Sequence, residues 1–253
     1  RYLMAMNVVN YTEPLSSKTV DSYFKFGYII IPSLLSASYL DSLLDETKNQ
    51  KFINKEWNGA SLDTSNPCQD LAIHQILVHP KILDIAETYL DNSVRVHFGM
   101  LAVIAANGGN GLPWHQDNMY TKLLGRAMNI FIALCDITPD MGTLWIAPKS
   151  HVYGVLDSKD NTTTAPGHRE VLEVPKDSFC VGTLNKGDVV VFDRQTLHRS
   201  LTNTSSIDRY AYAAQFSSKN IRNAEDGMVM QEKILARDLL GTYIKSKSYI
   251  QPI

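Results

Sequence analysis

Along this chain the spacing of apolar positions changes from helical to strand-like near residue 91. Val20, Tyr23 and Phe24 recur at helical spacing and stop at Gly27, a residue favoured just past a helix end because it accepts a left-handed backbone. A β-branched run over 28–32 predicts a strand. Ser36 or Ser38 is placed to cap a second helix whose Leu40, Leu43, Leu44 and Thr47 share one face. Pro80 suits the first turn of a third helix, with Ile82, Ile85, Ala86 and Tyr89 inward. Beyond Asp91, strand-like runs occur at 94–106, 128–137, 143–147, 188–193, 196–201 and 209–216, and the cluster Asn107-Gly108-Gly109-Asn110-Gly111 marks a turn. Short strands cut by Gly, Asn, Pro and Asp turns predict a mainly β sandwich or jelly roll, with the helices packed outside the sheet. A polar excursion over 152–177 is a candidate lid or site rim.

A length of 253 residues leaves room for one large domain or two small ones. No internal repeat or low-complexity linker divides the chain, so a single domain over 1–253 is expected: helices over about 16–91, a jelly roll over about 92–218 and an extension over 219–253. Lys and Arg total 24 against 26 Asp and Glu, a net charge of −2, which lacks the basic excess of a nucleic-acid or anionic-membrane partner. Apolar stretches such as 100–106 fall far short of the roughly 20 residues of a spanning helix. Cys68, Cys135 and Cys180 are odd in number and widely spaced, which is no disulfide framework or zinc pattern and fits a reducing compartment. A cytoplasmic location is expected, although a chain that begins at Arg1 leaves room for an upstream leader. The glycosylation triplets at Asn10, Asn161 and Asn203 are expected to be unmodified.

Two of the seven histidines stand out. Trp114-His115-Gln116-Asp117-Asn118 sets an imidazole and a carboxylate two residues apart, on one face if the segment is a strand. His198 follows the apolar run Val189-Val190-Val191-Phe192, and the 81 residues from Asp117 to His198 can reach a neighbouring strand. Two neutral imidazoles and one carboxylate suit Fe(II), leaving three open coordination positions. Zinc also accepts such a set, usually with tetrahedral closure. Eleven residues on, Arg209 opens the run Arg209-Tyr210-Ala211-Tyr212-Ala213-Ala214-Gln215-Phe216. Alternation puts Arg209, Ala211, Ala213 and Gln215 on one face, which is charged and underfilled for a core but suits a small dianion held by the guanidinium fork. Ser200, two residues after His198, can donate to the same carboxylate.

These landmarks resemble the phytanoyl-CoA dioxygenase (PhyH) family of Fe(II)- and 2-oxoglutarate-dependent oxygenases. The resemblance runs in the family's order from about residue 18 to residue 217. It is carried by Phe26-Gly27-Tyr28-Ile29-Ile30-Ile31-Pro32, by Trp114-His115-Gln116-Asp117, by the turn Gly142-Thr143-Leu144-Trp145-Ile146-Ala147-Pro148-Lys149-Ser150-His151, and by Gly187-Asp188 through His198, Ser200, Asn203 and Arg209. The resemblance implies a double-stranded β-helix (jelly roll, cupin-like) core. It implies His115, Asp117 and His198 as iron ligands, and Arg209 and Ser200 as holders of the 2-oxoglutarate carboxylate far from the metal. His151 is structural by the same analogy, and Asp117 stands where related halogenases carry a small residue, which argues against halogenation. Met141, and Lys149 in place of the turn's usual Gly, depart from the pattern.

The activity implied is oxidation of a small molecule by O2 with Fe(II) and 2-oxoglutarate, releasing succinate and CO2. Hydroxylation, desaturation, epoxidation and rearrangement stay open. Phe98, Met100, Trp114, Tyr120 and Trp145 are candidates for an apolar pocket, and no basic cluster suits a CoA diphosphate. A largely apolar metabolite, such as a natural-product intermediate, is the expected substrate. Residues 219–248 are expected to close over the pocket or to form a homodimer contact. The rival reading is a metal-binding β-sandwich without redox activity, either a zinc hydrolase or isomerase or a ligand sensor, which would have no need of Arg209.

Overall fold

The computed structural model describes residues 13–49, 59–63, 67, 70–163, 165–174 and 176–252; Cys68 and Asn10 lie outside them. The chain opens with α1 (Ser17–Phe26), β1 (Tyr28–Ile31) and α2 (Ala37–Asn49). Ser16 caps α1, and Gly27 ends it at φ 81°. Tyr23 is buried, but Phe24 is exposed, a difference from the helical reading: the helix is short and buries a narrow stripe. Of the two serines, Ser36 is the one whose hydroxyl accepts from the Tyr39 amide of α2 (3.3 Å). The next elements are β2 (Gly59–Ser61), a 3-10 stretch over Ala72–Val78 and α3 (Pro80–Tyr89), where the His79 side chain caps the helix just before Pro80. The 3-10 stretch was not anticipated. It is buried throughout, so it shows no amphipathic period.

The strands that follow are β3 (Val94–Ile104), β4 (Leu123–Leu124), β5 (Ala127–Ala133), β6 (Leu144–Ile146), β7 (Ser158–Asn161), β8 (His168–Val171), β9 (Phe179–Cys180), β10 (Val189–Asp193), β11 (His198–Ser200), β12 (Arg209–Ser218) and β13 (Arg222–Asn223), before α4 (Ala236–Lys245). A six-stranded antiparallel sheet runs β1-β10-β5-β12-β3-β2, and a three-stranded sheet runs β11-β6-β9. This is the mainly β jelly-roll arrangement expected. The polar excursion holds the β7–β8 hairpin.

Strand alternation divides the large sheet into two unlike faces. Ile29, Ile31, Ile130, Ile132, Val189, Val191, Tyr212 and Phe216 pack with the helices in one core, to which α4 adds Leu239 and Tyr243. Each such fully buried aliphatic side chain is worth about 1.5–3 kcal/mol. The alternate residues Ile30, Phe131, Ala133, Val190 and Ala211 face the small sheet, where they meet Leu144 and Ile146. Asn161 and Asn203 are buried, and both amides are hydrogen-bonded inside the protein, in keeping with unmodified side chains.

Candidate active site

A cavity of about 430 Å³ opens between the two sheets, in the range typical of small-molecule sites. Its floor holds His115, Asp117 and His198, and the strand geometry explains the meeting of the histidines. His115 and His198 stand opposite each other in an isolated antiparallel bridge, and each amide donates to the other's carbonyl at 3.0 Å. Such a pair projects both side chains to one side, and the ring centroids lie 4.2 Å apart. Close approach is possible because Gly111 precedes this segment: a Cβ there would lie 2.4 Å from the Ser200 carbonyl oxygen. Asp117 is not on a strand. It opens a 3-10 turn, Asp117–Met119, and the turn swings its carboxylate back to 3.5 Å from His115 Nε2. The i, i+2 spacing brings the two groups together by a different route from pleating.

The donor atoms of this trio lie within 4.8 Å of one another, so they could hold a metal ion. The surrounding bonds leave the right atoms free. His115 Nδ1 donates to the Pro113 carbonyl (2.7 Å) and His198 Nδ1 to the Thr196 carbonyl (2.9 Å). A carbonyl only accepts, so the proton sits on Nδ1 and Nε2 keeps its lone pair, the usual outer support of metal-binding histidines. Asp117 Oδ2 accepts from the side-chain amides of Asn129 and Gln215 (3.0 Å for Gln215), which leaves Oδ1 toward His115. Burial lowers His198 to about 4, reinforced by His115 and opposed by Asp117, so its imidazole is neutral at physiological pH. For Asp117, burial acts to raise the carboxyl. The contact with His115 and the proximity of His198 and Arg194 outweigh it and hold the group well below the usual carboxylate range. A neutral imidazole and an ionised carboxylate are the states that metal ligation requires.

Arg209 lines the same cavity and is 4% exposed. One guanidinium nitrogen donates to the Gly142 carbonyl (3.2 Å), the group stacks over the Phe131 ring at 5.5 Å, and Nε is buried without a partner. Burial lowers it to about 10, so it stays cationic. A buried cation left uncompensated typically costs about 3–5 kcal/mol, and an anion in the cavity would offset that penalty. Ser200 also lines the cavity. Its oxygen accepts from the Leu112 amide (3.0 Å), which leaves the hydroxyl hydrogen to donate. Ala213 and Gln215 face the cavity as alternation predicts, whereas Ala211 packs into the core between the sheets.

Of the five residues expected around an apolar pocket, Phe98, Met100 and Tyr120 line the cavity, and Trp114 and Trp145 do not. The two tryptophans sandwich the Arg199 guanidinium at 4.8 and 4.7 Å. This stacking joins three distant segments and leaves no periodic trace. His151 stays out of the cavity, with Nε2 on the Phe24 carbonyl (3.0 Å). Lys149 adopts φ 64°, the left-handed conformation for which glycine is the easiest residue. Arg194, which carries no motif in the sequence, binds Gln215 Oε1 and the Asp117 carbonyl beside the trio. It directly follows Asp193, the last residue of β10, and nothing local marks it.

The fold and the trio together define a jelly-roll protein with a metal-capable cleft, and the fold recurs in solved structures. EvdO2 from Micromonospora carbonacea var. aurantiaca superposes with a TM-score of 0.68 at 20% identity, covering 84% of this chain and 94% of that one. The carbocyclase SnoK from nogalamycin biosynthesis gives 0.67 at 19%, covering 90% and 97%. The epimerase SnoN, solved with Fe3+, alpha ketoglutarate and nogalamycin RO, gives 0.65 at 17%, covering 81% and 84%.

Residues 23–211, well over half of the sequence, match the family model described as phytanoyl-CoA dioxygenase, and the chain belongs to the PhyH family. Phytanoyl-CoA dioxygenase domain-containing protein 1 of Danio rerio is 30% identical over 124 residues, and its Bos taurus counterpart 35% over 112. In both cases the match covers 42% of this chain and 38% of the relative's length.

Proposed function

We propose that this protein is an Fe(II)- and 2-oxoglutarate-dependent oxygenase acting on a small, largely apolar metabolite. His115 Nε2, His198 Nε2 and one Asp117 oxygen hold the metal, while Arg209 and Ser200 hold the distal carboxylate of 2-oxoglutarate. When bound, metal and cosubstrate supply the oxidation, in which 2-oxoglutarate and O2 yield succinate, CO2 and an oxidised substrate. The chain's own part is to orient and to exclude water. The Pro113 and Thr196 carbonyls fix the imidazole planes, and Asn129 and Gln215 fix the carboxylate. Phe131, Phe192 and Leu144 wall the cavity.

The observation that carries this reading is Arg209, a buried cation with an orphaned Nε in the same cavity as three free metal-ligating atoms. A zinc hydrolase or a sensor needs the trio but gives Arg209 no anion. Asp117 in the third ligand position favours oxygen transfer over halogenation. The natural-product setting of the solved neighbours supports a biosynthetic intermediate as substrate. We place residues 1–253 in one domain, because the cavity draws on strands from β3 to β12 and on Lys233 beyond them.

Asp117→Ala should abolish 2-oxoglutarate-dependent O2 uptake and succinate release while the thermal unfolding transition persists. Turnover at the wild-type rate in this variant would remove Asp117 from the ligand set.

A further inference from the structure

The cavity has a second cationic end that the roles above leave unused. His97 and Phe98 are consecutive in β3, yet both line the cavity. The ladder slips between them: Gln215 faces Phe98 whereas Phe216 faces Val96, so His97 is the extra residue of a β-bulge. A bulge breaks the alternation of a strand and re-aims a side chain, and such features concentrate beside active sites. His97 is 9% exposed, and its Nδ1 is buried without a hydrogen-bond partner.

The segment before α4 brings Lys233 to the same place. The Val96 amide donates to the Ile234 carbonyl (2.9 Å) and the Arg95 guanidinium to the Lys233 carbonyl (2.6 Å), which straps this segment along the bulged end of β3. Residues 219–248 therefore do contribute to the cavity, through Lys233. Among the described residues Lys233 forms no ion pair.

Charge decides what belongs there. The cavity is lined by four cationic side chains, Arg194, Arg199, Arg209 and Lys233, and by one carboxylate, Asp117. Arg194 is engaged by Gln215 and by the carbonyls of Asp117 and Thr121, and Arg199 lies between two tryptophans. Arg209 sits at the far end of the ladder, opposite Ile104. From Arg209 to Gln215, beside the bulge, β12 advances about 20 Å at roughly 3.3 Å per residue. Arg209 and Lys233 therefore enter the cavity from opposite ends of this stretch of β12. Burial, with the Arg194 and Lys233 charges, lowers His97 to about 3, so its imidazole is neutral and offers one donor and one acceptor nitrogen.

We propose that Lys233 and His97 form a subsite for a carboxylate carried by the substrate. The substrate is then an amphipathic monocarboxylic acid whose apolar body lies against Phe98 and Met100, beside the metal-ligating trio that Gln215, opposite Phe98, contacts through Asp117. This rests on the oxygenase reading and narrows its substrate class.

The test is calorimetric, with hexanoate, octanoate and decanoate against the matching primary alcohols, under anaerobic conditions with and without Fe(II) and 2-oxoglutarate. At least one acid should bind tenfold or more tighter than its alcohol. That preference should vanish in Lys233→Met, a change at a half-exposed side chain, and fall in His97→Phe, while His97→Gln keeps part of it. It should survive saturation with 2-oxoglutarate and the Arg209→Met change. Equal binding of acids and alcohols, no binding of any acid, or a preference lost in Arg209→Met and kept in Lys233→Met would overturn the proposal. Failure of the oxygenase reading would show separately, as no new visible absorption when 2-oxoglutarate meets the Fe(II) protein, with the acid preference intact.

Discussion

The two faces of the large sheet are built from the same strands and do opposite work. On β12, Tyr212 and Phe216 point to the helices and are fully buried, the Tyr212 hydroxyl paired with His74 Nδ1 (2.7 Å). On the alternate face, Arg209, Ala213 and Gln215 point to the cavity, where small Ala213 leaves space, Gln215 bonds Asp117 and Arg209 Nε has no partner. β5 repeats the contrast: Ile130 and Ile132 join the helical core, while Asn129 bonds Asp117. A period of two residues thus separates a face wholly given to the helical core from one that is shared between binding and packing. The binding positions sit on the second face, beside the core that Phe131, Ala133, Val190 and Ala211 form with the small sheet.

That division can be broken from either side. The largest effect on stability is expected from Phe216→Ala, which removes a fully buried ring from the helical face and should cost about 3–5 kcal/mol in urea unfolding. A loss under about 1 kcal/mol would mean that this face is not the core. Arg209→Met should do the reverse. The Kd for 2-oxoglutarate should rise tenfold or more by calorimetry, with metal affinity nearly unchanged and stability equal or higher, because an uncompensated buried charge is replaced by an isosteric apolar chain. Parallel loss of metal binding and stability would make Arg209 part of the scaffold instead.

How far the site was legible before the structure follows from the same geometry. Arg209, Ala213 and Gln215 could be assigned to one face because alternation is local and survives in a regular strand. His115 and Asp117 could be paired by spacing, but not their geometry, since i, i+2 residues converge on a strand and also across the 3-10 turn that Asp117 opens. Ala211 shares the parity of Ala213, yet it faces Phe131 and the small sheet, a difference set by where that sheet lies. Trp114 and Trp145 looked like pocket walls, because an aromatic beside a motif does not reveal that it stacks on Arg199. His97 was invisible for a further reason: its direction depends on a bulge, and a bulge is a property of two strands in register. The pair His115 and His198, although joined by two distant segments, was marked by its motifs, whereas His97, Trp114 and Trp145 take their roles from pairings that carry no motif.

The central claim is that the cavity face holds a metal and 2-oxoglutarate together. Its most direct test is to add Fe(II) and then 2-oxoglutarate to the protein without oxygen and record the visible spectrum. The account predicts a metal-to-ligand charge-transfer band that appears only when both are present, weakens in Arg209→Met at fixed 2-oxoglutarate and returns at higher concentration. Tight iron binding with no such band at saturating 2-oxoglutarate would contradict it.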